Sequence, residues 1–76
     1  MLKLKVNTYM ESDLMGCERY VAVYARDARN WWILGSRDSM EDALELLRME
    51  RADTVDGADC GHWLVISPWG DTEAEA

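Results

Sequence analysis

The stretch Trp31-Trp32-Ile33-Leu34-Gly35-Ser36-Arg37-Asp38-Ser39-Met40-Glu41-Asp42-Ala43-Leu44-Glu45-Leu46-Leu47 decides the fold class, because the hydrophobic period changes within it. Trp31 to Leu34 is a short apolar run that stops at Gly35, as a strand does. From Met40 onward Met40, Ala43, Leu44 and Leu47 recur at three and four residues, which is one stripe of a helix. Leu46 and Met49 flank that stripe, while Glu41, Asp42, Glu45 and Glu50 point elsewhere. Asp38 with Glu41, and Ser39 with Asp42, have the spacing that lets side chains satisfy the free amides of a helix start. The pattern predicts a helix from near Met40 to near Ala52.

Upstream, Leu2, Leu4 and Val6 alternate with Lys3, Lys5 and Asn7, which predicts a first strand over Leu2 to Thr8. Glu11 to Glu18 breaks the alternation and reads as a connection. Arg19 to Ala25 reads as a second strand, and Asp27 to Asn30 has hairpin length before the strand at Trp31. Downstream, Asp53 to Gly61 reads as a loop, His62 to Ser67 as a last strand ended by Pro68, and Asp71 to Ala76 as an acidic tail. The expected fold is α+β in the order β-β-β-α-β, one domain over residues 1–70 with an antiparallel sheet and one helix packed on one face. Val21 and Val23 oppose Tyr20 and Tyr24, Trp31 and Ile33 oppose Trp32 and Leu34, and Trp63 and Val65 oppose Leu64 and Ile66. Both faces of the sheet are therefore apolar. The second face needs a cover: the loops and tail with Trp69, a homodimer, or a partner protein.

The chain has 76 residues, 49% of them hydrophobic, with four Trp beside 15 carboxylates, which is too apolar for a disordered acidic segment. The longest apolar run, Tyr20 to Ala25, falls well short of the roughly 20 residues of a membrane span. The first residues alternate rather than forming an apolar signal core, so the expected location is cytoplasmic, with Cys17 and Cys60 as thiols. Charge is divided unevenly. Met1 to Arg37 sums to +2 and Asp38 to Ala76 to −9, for a net −7. Such a field repels nucleic acid and attracts basic protein surfaces.

Asp38 and Asp42, and Glu41 and Glu45, repeat every four residues, about 6 Å along a helix and comparable to phosphate spacing along a nucleic-acid strand. Glu50, Asp53, Asp56 and Asp59 are expected to extend the row. It serves either as a solvated face that keeps the protein soluble or as an acidic docking surface. Like charges at this spacing cost an isolated helix roughly a few tenths of a kcal/mol each, which favours a use for them. The alternative docking surface is an aromatic sheet face of Tyr20, Tyr24 and Trp32.

Other constellations lack the required spacing. Cys17, Cys60 and His62 do not have the paired spacing of a zinc site, nor do they form a nucleophile and base with an oxyanion site. Asp53 to Asp59 lacks the alternating ligands and closing glutamate of a calcium loop. Lys3, Lys5, Arg19, Arg26 and Arg29 near aromatic residues form a basic aromatic surface, but the overall charge opposes nucleic acid. No catalytic residues, metal or cofactor are expected.

In length, acidity and absence of a site motif the chain resembles the small acidic proteins that phages and mobile elements encode against host defences, the anti-CRISPR proteins and anti-restriction DNA mimics. That resemblance implies an inhibitor whose partner is a protein with a basic nucleic-acid-binding surface, with Asp38, Glu41, Asp42, Glu45, Asp53, Asp56 and Asp59 standing in for phosphates. Over roughly Arg19 to Arg48, strands followed by Asp38-Ser39-Met40-Glu41-Asp42-Ala43-Leu44 look like the neutralising domain of Hic-type antitoxins, without that family's Leu-Pro-Gly turn. This second resemblance implies a domain that neutralises a partner protein.

Overall fold

The computed structural model describes residues 2–54 and 61–76. Its elements are α1 (Thr8–Met15), β1 (Tyr20–Ala25), β2 (Trp31–Arg37), α2 (Met40–Ala52), β3 (His62–Ile66) and β4 (Thr72–Glu75). The strands form one antiparallel sheet in the order β2-β1-β3-β4. The protein is α+β, but its order is α-β-β-α-β-β rather than β-β-β-α-β, and it has two helices rather than one. Because β2 and β3 both run antiparallel to β1, they are parallel to each other, and α2 is the crossover that joins them over β1.

The β1–β2 turn is set by Asp27. Its Oδ1 accepts from the backbone N–H groups of Arg29 and Asn30, each at 2.9 Å, and the Arg26 N–H donates to the Asn30 carbonyl at 2.9 Å. α2 spans Met40–Ala52 as its period predicts, and the Ser39 hydroxyl caps it by accepting from the Asp42 N–H at 3.1 Å.

β2 runs beyond the predicted stop at Gly35, through to Arg37. A bulge makes this possible. Ala22 faces Gly35 while Val23 faces Ile33, so Leu34 is the extra residue. The bulge turns Gly35 toward α2, where a Cβ would lie 2.9 Å from Leu46 Cδ2. Gly35 therefore lets the helix approach the sheet rather than ending the strand.

The sheet is buried on both sides. Ala22, Trp63 and Val65 pack on one face with Ala43, Leu46 and Leu47 of α2. Val21, Val23, Ala25, Trp31, Leu64 and Ile66 pack on the other with Leu4 and Leu14, flanked by Leu2, Val6, Met10 and Cys17. The cover of the second face is thus the N-terminal segment and α1, not the tail with Trp69, which is 66% exposed.

This corrects two expectations. Leu2 to Val6 alternates as predicted, with Leu4 buried and Lys3 and Lys5 exposed, yet it forms no ladder. Its backbone bonds go elsewhere: the Lys5 N–H to the Ala28 carbonyl (2.7 Å), the Lys5 carbonyl from Trp31 Nε1 (3.0 Å) and the Leu2 carbonyl from the Thr72 hydroxyl (2.6 Å). Period two reports alternating burial, and it does so whether or not a neighbouring strand is present. Glu11 to Met15, read as part of a connection, belongs to α1, which begins at Thr8 where the predicted first strand ends, because the Asn7 side chain accepts from the Met10 N–H at 2.9 Å and Met10, Leu14 and Cys17 face inward together.

Residues 72–75, read as part of the tail, are the edge strand β4. Gly70 supports the turn before it, with φ of 98° and a Cβ position 2.6 Å from Val6 Cγ2.

Leu14 is fully buried, so Leu14→Ala is expected to lower the unfolding free energy in urea by about 2–4 kcal/mol. A loss below about 1 kcal/mol would contradict α1 as the cover of the second face. Gly70→Ala combines a positive φ with a clash and is expected to cost about 1–3 kcal/mol, with unchanged stability as the contrary result.

Candidate docking surface

At about 100° per residue, Glu41, Glu45, Asp38 and Asp42 fall within an arc of about 100°, opposite the side of α2 that packs on the sheet. All four are exposed, as is Asp53 just past the helix end. Asp56 and Asp59 lie outside the described residues. Among the described residues no salt bridge reaches Asp38, Glu41, Asp42 or Glu45. A shallow groove of about 170 Å³ runs along one side of the row, lined by Arg37, Asp42, Glu45, Leu46 and Met49. Met49 is 61% exposed, so a flexible apolar side chain lies among the carboxylates.

Part of this acidity has a local explanation. Asp38, Glu41 and Asp42 sit at the helix N-terminus, where the macrodipole favours negative charge. Glu45 is a full turn further on, beyond that benefit, four residues from Glu41 and three from Asp42. Its charge extends the row without a structural return.

The aromatic surface is not an open sheet face. α2 packs over that side, and Tyr20 and Tyr24 are half-buried against the α2-side core. Tyr24 lies between Trp32, stacked at 6.0 Å between ring centroids and 21° between planes, and Trp63, at 4.8 Å and 56°. Of the three predicted residues only Trp32 is exposed, at 51%.

Sequence reasoning missed a cluster at the other edge of the sheet. Arg19 grips Glu73 through two bonds, Nη1 to Oε1 at 2.6 Å and Nη2 to Oε2 at 2.8 Å. Its guanidinium also lies 4.7 Å from the Tyr20 ring centroid and 5.1 Å from that of Trp69. Because β3 stands between β1 and β4, this clamp reaches across a strand to hold the edge. Its two halves are 54 positions apart in the chain and leave no local signal. His62 Nδ1 lies 3.2 Å from Glu75 Oε2 further along β4.

Cys17 keeps a thiol that donates to the Asp13 carbonyl at 3.3 Å, and Cys60 lies outside the described residues. Among the described residues no group of three His, Cys, Asp or Glu side chains is arranged to hold a metal ion. No helix among them is long and apolar enough to cross a membrane.

The Arg19 hydrogen bonds hold the Glu73 carboxyl below the usual carboxylate range, and nearby positive charge adds to that, while burial opposes it. A carboxyl depressed in the folded state stabilises the fold above its unfolded pKa, and this contribution is lost as pH falls through the folded pKa. Arg19→Gln is expected to move the Glu73 titration midpoint upward in carbon-detected NMR and to remove that part of the acid-side loss of stability. An unmoved midpoint would contradict the clamp.

No family model, curated protein or solved structure matches the chain.

Proposed function

We propose that this protein is a small acidic inhibitor that docks the exposed row of α2 on a basic nucleic-acid-binding surface of a host-defence complex, in the manner of anti-CRISPR and DNA-mimic proteins. The observation that carries this reading is the arc of carboxylates Glu41, Asp42 and Glu45 on α2, with Asp38 just before its cap, none of them in a salt bridge among the described residues, on a helix whose other side is committed to the core. Spacings of about 6 Å are shorter than the Debye length of about 10 Å at 0.1 M salt, so the charges act together on a basic partner. Asp53 prolongs the row, and Met49 supplies an apolar contact within it.

The row lies on the surface, and its part in the fold's stability is the helix-dipole interaction at Asp38, Glu41 and Asp42, about 0.3–1 kcal/mol each. Its residues make no side-chain bond that the core depends on, so the docking reading can be tested without unfolding the protein. Combined reversal to Lys at Glu41, Asp42 and Glu45 should leave the circular-dichroism spectrum unchanged. It should also abolish capture of a nucleic-acid-binding complex from bacterial lysate at about 50 mM salt, where the wild-type protein recovers it and loses it at about 500 mM. Added duplex DNA should compete with the wild-type capture. Undiminished capture by the reversed variant, or indifference to DNA and salt, would contradict the proposal.

A further inference from the structure

We infer that the outer edge of β2 is a self-association site at which a second copy of this chain pairs its own β2, antiparallel and about a two-fold axis. The sheet has two edges, and they are protected unequally. β4 is four residues long and carries Glu73 and Glu75, engaged by Arg19 across β3 and by His62 of β3. β2 is seven residues long, and from Trp31 to Ser36 it has neither a charge nor a proline. Charges, prolines, short length and bulges keep sheet edges apart, and over those six residues β2 has only the last of these, the bulge at Leu34. Among the described residues no backbone hydrogen bond leads from β2 to anything except β1. Apart from the Ser36 carbonyl, which accepts from Arg37 Nη1 at 2.6 Å, its outward N–H and C=O groups are therefore available.

A second copy fits this edge because of what lies at its two ends. At the start of β2 is the β1–β2 turn, with Arg26 and Arg29 exposed, and beside it a groove lined by Arg26, Asp27, Asn30 and Trp32. The Asp27 carboxylate bonds Asn30 and the turn amides and keeps its charge, so Arg26 and Arg29 leave the turn with a net charge of +1. At the end of β2 is the acidic start of α2, where exposed Asp38, Glu41 and Asp42 outnumber the exposed Arg37 that ends the strand. Antiparallel pairing sets the start of one β2 beside the end of the other. Each copy's basic turn then meets its partner's acidic helix start, twice over, and the neutral strands lie between. The same pairing offsets the repulsion expected between two chains of net charge −7. The half-exposed Trp32 ring beside the edge gives the contact apolar area.

The two-fold axis of an antiparallel strand pair is perpendicular to the sheet, so both α2 helices lie on the same side of the joined eight-stranded sheet. In this respect the inference bears on the proposed function: the pairing takes Asp38, Glu41 and Asp42 into the contact between copies, and leaves Glu45 of each α2 exposed on that one side.

The test is the mass of the purified protein in sedimentation equilibrium between about 1 µM and 1 mM, with no partner present, so that its outcome is separate from that of the capture experiment. The wild type should approach twice 8.7 kDa with rising concentration. Trp32→Lys, which places like charges near each other at the edge, should stay monomeric. Combined Arg26→Glu and Arg29→Glu should also stay monomeric, and adding Asp38→Arg and Asp42→Arg should restore the dimer by exchanging the charges. In the wild-type dimer the β2 amides not bonded to β1 should exchange with deuterium at least tenfold more slowly than at low concentration. A monomeric mass at every concentration would overturn the inference, and so would a dimer insensitive to both sets of substitutions.

Discussion

The structure depends on one constraint: the two central strands are apolar on both faces, and 76 residues must supply a cover for each. β1 and β3 contribute Val21, Val23, Leu64 and Ile66 to one side and Ala22, Trp63 and Val65 to the other. A buried strand of this kind is usual between two layers of helices and rare in a sheet with a wet face. Here α2 supplies one layer. The other is improvised from an extended segment and an eight-residue helix, anchored by three hydrogen bonds, one donated to the Ala28 carbonyl and two accepted from the Trp31 indole and the Thr72 hydroxyl. Short chains have little area to bury, so each cover matters.

Satisfying that constraint also decides which surfaces remain for function. The aromatic residues of the sheet are mostly drawn into the α2-side core, with Tyr24 between two tryptophans, so they cannot serve as a broad docking face. The outer side of α2 remains free and strongly negative. The hairpin turn, with Arg26 and Arg29, lies at the end of β2 away from the start of α2. The uneven charge along the chain thus becomes an uneven charge along the edge of the molecule.

Much of this was legible in the sequence. The α2 boundaries, its cap at Ser39, the β1–β2 hairpin and the exposure of the acidic row all follow from local period and cap chemistry. Leu2 to Val6 was legible as alternating burial but not as a non-strand, because side-chain period carries no information about backbone partners. α1 had a signal in Asn7 and in the Met10, Leu14, Cys17 spacing, masked by the polar residues between them. β4 had none, since Thr-Glu-Ala-Glu has low strand propensity and is held by pairing with β3 and by Arg19 from 54 residues away. The bulge at Leu34 was equally invisible, as it arises from the need to admit Leu46 at Gly35.

The central claim is that the carboxylates of α2 act as substitutes for phosphates. It is tested most directly by the salt dependence of affinity for the isolated target complex, measured by calorimetry from about 50 to 500 mM salt. The account predicts a steep linear fall of log affinity with log salt concentration, and a shallower slope for Glu45→Gln. A flat dependence, or an identical slope in that variant, would contradict it.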